Sequence, residues 1–270
     1  MDQLDDSDHR TTLRLWVAGD LVAASPVTLN GDQAHYLRAV MRRSVGDELL
    51  VFNGRDGEWL SRLVALSKSG AQIEPVRQTR LQSQGIDLRL VFAPIKRARL
   101  EILIEKAVEL GVSTLVPVIT RRTIVSRLNL DRLSAHAREA AEQTERLDIP
   151  AVAAPRSIEA VLNDWEPNRR LLFCDETGSA PSLAAALQEV EPCVESWAVL
   201  IGPEGGFDPS ELDLVRGFPF ATPVSLGPRV LRADTAAIAA LAVFQALRGD
   251  WGTARGIATS ASASIATPQR

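Results

Sequence analysis

An α/β fold built on a parallel sheet, preceded by a small all-β module, is what this sequence predicts, and three observations carry it. From about residue 86 to 250, short apolar runs alternate with amphipathic stretches, the pattern of strands and helices that cover both faces of a parallel sheet. Before residue 82, turn signals such as Asn30-Gly31, Gly46-Asp47, Asn53-Gly54 and Asp56-Gly57 recur at short intervals between apolar runs, the mark of a compact β unit. Two late apolar runs, Ala198-Val199-Leu200-Ile201 and Val224-Ser225-Leu226, each stop at a glycine-containing loop that opens into a helical stretch. Loops at the carboxyl ends of parallel strands are where open α/β sheets bind ligands.

The elements follow in order. Residues 1 to about 10 are polar, with Asp2, Asp5, Asp6 and Asp8 and little to bury, and are expected to be disordered. Residues 13–17 form a short strand. A helix over 33–42 places Tyr36, Leu37, Val40 and Met41 on one stripe at helical spacing. Residues 47–52 and 58–66 read as a hairpin over Asn53-Gly54-Arg55-Asp56-Gly57, and 71–76 as a further strand. Polar residues 82–85 are a linker. Beyond it come a strand (88–93), an amphipathic helix (96–110) with Leu100, Leu103, Ile104 and Ala107 inward and Gly111 as its stop, and a buried strand (112–119). A helix (133–146), a strand (171–174), a helix (183–190) and a strand (197–201) continue the alternation. Asp208-Pro209-Ser210-Glu211 has the chemistry of a helix start: an Asp cap, Pro at the first position and Glu at the third. A strand (224–226) and an Ala-rich helix (235–247) stopped by Gly249 complete the domain. The division is thus a β module over 10–82, an α/β domain over 86–250 and a disordered Ser/Ala/Thr-rich tail over 251–270.

Composition narrows the function classes. The chain has 270 residues, 46% of them hydrophobic, enough for a sizeable core. No apolar run approaches a membrane span, and the acidic start lacks the basic and apolar regions of a secretory signal. Cys174 and Cys193 form neither a disulfide framework nor a zinc spacing, and His9, His35 and His136 are far apart, so a reduced, cytoplasmic protein with inert thiols and no metal is expected. The net charge of −4 argues against a generic nucleic-acid binder. Its distribution weakens that objection. Between His9 and Gln82 there are ten Arg and Lys against seven Asp and Glu, and cations cluster at Lys96-Arg97-Arg99 and Arg121-Arg122. Patches of this kind can hold a phosphate backbone, although each also reads as solvated surface.

The two glycine loops carry the chemistry. Gly202-Pro203-Glu204-Gly205-Gly206 is neither a dinucleotide fingerprint nor a phosphate loop, since G-x-G-x-x-G and G-K-[ST] are absent. It reads as a backbone cradle for an uncharged moiety such as a nucleoside, or simply as a tight strand-to-helix turn. Gly227-Pro228-Arg229-Val230-Leu231-Arg232-Ala233-Asp234-Thr235 brings two arginines and an aspartate to a strand end, where such groups are costly unless paired or functional. Asp234 or Thr235 has an ordinary role available as helix cap; Arg229 and Arg232 have none. Glu142-Gln143-Thr144-Glu145-Arg146 ends a helix and reads equally as solvated surface or site edge. A non-catalytic RNA-binding protein and a nucleotide-using enzyme such as a dehydrogenase are competing readings; the missing dinucleotide fingerprint counts against the dehydrogenase, and the Arg-Asp loop against the pure binder.

On these residues the chain resembles the bacterial 16S rRNA uracil-N3 methyltransferases of the SPOUT superfamily. The matching pieces, in family order, are His35, Val40-Met41-Arg42 with Val45-Gly46-Asp47; Glu105-Lys106-Ala107-Val108-Glu109-Leu110-Gly111-Val112; Glu142-Gln143 and Pro150; Leu200 to Gly206; and Leu226 to Arg232 with Thr235-Ala236. Thr144 and Asp234 depart from the Cys and Glu common there. The resemblance implies a C-terminal trefoil knot, S-adenosylmethionine bound bent in the knot loops, a homodimer, a PUA-like N-terminal barrel that helps hold RNA, and methylation at N3 of one uridine of 16S rRNA in the small (30S) ribosomal subunit, position 1498 in the usual rRNA numbering. It assigns Leu200, Ile201, Gly202, Gly205, Gly206, Leu226, Gly227, Pro228 and Leu231 to the cofactor. For that reaction Arg229 or Arg232 is expected to stabilise the uridine anion while the other grips phosphate, Glu204 or Asp234 to take the proton, and Arg14, Arg38, Arg42, Lys96, Arg97 and Arg99 to hold RNA.

Overall fold

The computed structural model of the protein describes residues 13–125, 127–190 and 194–252, so the expectations for the N-terminal tip, Cys193 and nearly all of the tail lie outside the described residues. The chain divides between Ser83 and Gln84 into two compact units.

The first unit is a five-stranded sheet in the order β1-β3-β4-β5-β2, built from β1 (Arg14–Trp16), β2 (Val27–Leu29), β3 (Glu48–Phe52), β4 (Glu58–Leu66) and β5 (Ala71–Arg80). The expected hairpin is present: β3 and β4 pair antiparallel, with Phe52 opposite Glu58. Alternation along β1 decides which side chains enter the core. Leu13, Leu15 and Val17 point into a cluster with Leu29, Leu49, Val51, Leu63 and Ile73. Arg14 therefore projects from the other face, and there it is buried as well. Its Nε donates to Glu58 Oε2 at 2.7 Å and its guanidinium lies 3.8 Å from the centre of the Phe52 ring. An arginine so enclosed cannot reach an RNA phosphate, which corrects its assignment to RNA.

Helix α1 (Gly31–His35) starts two residues earlier than its apolar stripe suggests. Asn30 and Gln33 form a reciprocal capping box that satisfies two of the first free N–H groups. It runs on into a π-helical turn over Tyr36–Val40, and the wider turn rotates Val40 out of the stripe to 59% exposure while Leu37 stays buried. Arg38 and Arg42 are exposed, Arg42 in the left-handed region at φ 52°.

The second unit is a wholly parallel sheet in the order β12-β10-β11-β6-β7-β8, with β9 also pairing with β7. The strands are β6 (Asp87–Phe92), β7 (Thr114–Ile119), β8 (Ala151–Val152), β9 (Arg156–Ser157), β10 (Arg170–Cys174), β11 (Ser196–Ile201) and β12 (Ala221–Val224). Helices α2 (Arg97–Glu109), α3 (Leu130–Gln143), α4 (Ile158–Asn163), α5 (Leu183–Glu189), α6 (Pro209–Arg216) and α7 (Ala233–Arg248) connect them. The inward face expected of α2, Leu100, Leu103, Ile104 and Ala107, is buried. Helix α6 has the Asp208 cap, the proline and the Glu211 capping box that its sequence encodes. The last strand ends at Val224 rather than Leu226, and α7 begins at Ala233 with Arg232 at the cap position, so neither Asp234 nor Thr235 is the N-cap.

Candidate active site

All strands of the second sheet run the same way, so the loops after β6, β10, β11 and β12, four adjacent strands, emerge at one edge. They line a cavity of ≈ 540 Å³, a size suited to a small organic ligand. The loop after β11 supplies Ile201, Gly202, Glu204 and Gly206; the loop after β12 supplies Leu226, Gly227, Pro228, Arg229, Leu231 and Arg232. Lys96 and Arg99, from the start of α2, complete the rim.

Two glycines need their lack of a side chain. Gly227 sits at φ 105° with open space where a Cβ would be, so conformation alone requires it. Gly206 has φ 69°, and a Cβ there would lie 1.9 Å from Glu176 Oε1. The glycine loop is also braced from behind. Arg122 Nη1 donates to the Gly205 carbonyl at 3.0 Å. The Glu211 carboxylate, 2% exposed, accepts the N–H of Arg121 at 2.8 Å through Oε1 and that of Asp208 at 2.9 Å through Oε2. A buried carboxylate with two backbone donors is satisfied without a cation. It ties the turn after β7 to the start of α6, the two segments that flank the loop.

The charges around the cavity fall into two groups. Asp175, at the end of β10, is buried, which pushes its carboxyl up. The Arg216 guanidinium at 2.6 Å and the Thr177 N–H at 2.9 Å outweigh that and hold it below the usual carboxylate range. Cys174 beside it has its thiol pushed up to about 12 by burial, which makes it a poor nucleophile. In contrast, Glu176, Glu204, Lys96, Arg229 and Arg232 are exposed on the cavity, and none has a hydrogen-bond or ion-pair partner among the described residues. Unpaired groups of both signs facing one concave space are the signature of a ligand site rather than of a structural network.

Not every residue expected at the site is there. The Leu200 side chain is buried in the core with Val91, Phe173 and Phe207, between the two neighbouring strands, so only its backbone is left for the cofactor role expected of it. Gly205 turns its carbonyl to Arg122 and lies behind the lining. Asp234, in the first turn of α7, is also outside the lining; its Oδ1 is buried without a hydrogen bond, 3.9 Å from Arg99 Nη1. Arg97 is exposed and bonded to Glu101 at 3.2 Å, one helical turn along. Arg146, at the polar helix end, donates to the carbonyls of Val108 and Val112, which makes it part of the scaffold. Asp175 and Glu176 are the charged cavity residues the motifs miss; their one signal is position, directly after a buried strand at the same sheet edge.

Comparison with known proteins fits this geometry. A family model described as an RNA methyltransferase domain matches residues 82–245, and one described as an RNA methyltransferase PUA domain matches 29–76. Ribosomal RNA small subunit methyltransferase E of Rickettsia conorii is 32% identical over 234 residues, 85% of this chain and 93% of that protein. The Synechocystis protein of the same name is 35% identical over 240 residues, 87% and 77% of the two chains. Among solved structures, ribosomal RNA small subunit methyltransferase E from Neisseria gonorrhoeae, bound to S-adenosylmethionine, superposes with a TM-score of 0.81 at 25% identity over 89% of this chain and 99% of that one. A Legionella pneumophila protein, also in complex with S-adenosylmethionine, gives 0.79 at 28% identity over 88% and 99%. With the family match spanning most of the chain and the cavity at its centre, the protein belongs to the RNA methyltransferase family that includes ribosomal RNA small subunit methyltransferase E.

Proposed function

We propose that this protein is an S-adenosylmethionine-dependent methyltransferase of small-subunit ribosomal RNA, acting on N3 of a uridine in 16S rRNA. The observation that carries the proposal is the cavity, where unpaired arginines and carboxylates converge on two glycine loops at one sheet edge. The family and the cofactor-bound relatives supply the reaction class.

The cofactor fits the residues present: glycine-lined backbone for a nucleoside, apolar Ile201, Leu226 and Leu231, and charged groups of both signs. Backbone groups of Ile201, Gly202, Leu226, Gly227 and Leu231 would hold it. When bound, S-adenosylmethionine supplies a methyl group on a sulfonium, an excellent leaving group, so the protein's main task is alignment. Uridine N3 carries a proton and is a poor nucleophile until that proton leaves. Glu204, exposed on the cavity with no partner among the described residues, accepts it. Arg229 or Arg232 stabilises the negative charge that develops on the base carbonyls, and the other grips phosphate. Asp234 acts at one remove by facing Arg99. The base must leave any stack to reach the cavity. Exposed Arg38, Arg42, Lys96 and Arg97, together with Arg99, serve the RNA backbone. The C-terminal knot and a homodimer belong to the same proposal.

Two measurements test it. Calorimetry with S-adenosylmethionine should show one site per chain; absence of binding would sink the enzyme assignment in favour of a pure RNA binder. Labelled methyl should then pass to small subunits or 16S rRNA from cells lacking the enzyme, and nuclease digestion should return 3-methyluridine.

A further inference from the structure

The loop after β10 enters the cavity with a carboxylate that neither the motifs nor the reaction chemistry uses. Asp175 is fixed, bonded to Arg216 and accepting the Thr177 N–H in a tight turn. That turn dictates where the next side chain goes. Glu176 crosses over the glycine loop, and its Oε1 occupies the place a side chain at Gly206 would need, 1.9 Å from the position of a Cβ there. The carboxylate lines the cavity, is exposed, and has no hydrogen-bond or ion-pair partner among the described residues. The arginine beside it, Arg216, is already engaged by the adjoining Asp175.

Charge sorting along the cavity gives this carboxylate its meaning. Cations come from the loop after β12 and the start of α2: Arg229, Arg232, Lys96 and Arg99. Those elements suit a polyanion. Glu176 comes from the loop after β10 and lies against Gly206, from the loop after β11. A polyanionic substrate gains nothing from a carboxylate, and a glycine kept bare to make room for one points to a cationic ligand group at that place. We propose that Glu176 is the residue that recognises the positive charge of the methyl donor, and that it makes this site select a cationic cofactor. The proposal rests on the methyltransferase assignment above. The donor carries positive charge at its sulfonium and at its amino-acid ammonium; the demethylated product, S-adenosylhomocysteine, keeps only the ammonium.

The test is calorimetric titration of wild-type protein and Glu176→Gln with S-adenosylmethionine and with S-adenosylhomocysteine. Glutamine keeps the shape and removes the charge, and because Glu176 has no partner among the described residues the melting temperature should stay put. Glu176→Gln should weaken binding of the donor on the order of tenfold, the scale of a lost charge-assisted hydrogen bond. Weakening of the donor alone assigns Glu176 to the sulfonium; equal weakening of donor and product assigns it to the ammonium. Unchanged affinity for both overturns the proposal while leaving the methyltransferase assignment intact. Failure of the wild-type protein to bind either compound would overturn the assignment itself.

Discussion

The two ends of the parallel sheet use the same residue types to opposite effect. At the amino-terminal end, Arg169 is 2% exposed and fully engaged: it bonds Asp87 at 2.6 Å, Glu166 at 2.9 Å and the Trp197 carbonyl at 3.0 Å. Glu166 in turn holds Arg89, and Asp87 accepts the Ser196 hydroxyl. Those contacts join the starts of β6, β10 and β11. At the carboxyl-terminal end, Arg229, Arg232, Lys96, Glu176 and Glu204 stand around a cavity with no partner among the described residues. Charge that is paired within the fold holds strands in register; charge left unpaired in a concavity is held for a ligand. The difference lies in what the surrounding backbone has already satisfied, and residue identity alone does not reveal it.

Substitutions at the two ends should therefore fail in different assays. The largest effect is expected from Arg232→Ala, which should lower single-turnover methyl transfer about a hundredfold or more, the scale of losing one donor to a developing anion. Cofactor affinity by calorimetry should stay within a few fold, and stability should hold; loss of cofactor binding would move Arg232 out of catalysis. At the other end, Arg169→Met should leave transfer per folded molecule unchanged but cost roughly 2–3 kcal/mol in urea unfolding, below the usual range for broken buried pairs because Asp87 and Glu166 are half exposed. Gly227→Ala meets no neighbour, so it should lose only roughly 1 kcal/mol from the strain of its positive φ. The smallest effect concerns pH. Burial pushes the Asp87 carboxyl up, but its bonds to Arg169 and Ser196 prevail and hold it below the usual range. Its folded value is thus the lower one, and its contribution is complete above the unfolded value of about 3.9 and lost as pH falls through the folded one. Asp87→Asn should accordingly narrow its stability gap to wild type in urea melts as pH drops from about 5 to 2.

Much of this division was legible in the sequence and part was not. Long periodic segments were readable because each repeats its period several times: the buried stripe of α2 and the capping box of α6 are where their residues put them. Strands β2 and β8, three and two residues long, and the β9–α4 unit are not legible, since so few residues carry no period. The two glycine loops announced the site, and Arg229 and Arg232 line it. Arg14 is hidden from such a reading because its partners, Phe52 and Glu58, face each other across the hairpin that brings them under it, and charge counting cannot see them. Glu176 was missed for the converse reason. Nothing local marks it, and only strand order places its loop beside Gly206.

Glu211 has a further consequence, in time rather than in space. Its carboxylate receives the N–H of Arg121 from 90 positions away in the chain. Contacts of that separation form late, after the entropy of closing a long loop has been overcome. Helix α6 and its cap can form locally, but the brace behind the glycine loop cannot exist until β7 and β11 have docked on either side of β6. Folding of this unit should end with assembly of its site, and the amide of Arg121 should be protected from hydrogen exchange only as long as the whole sheet stands.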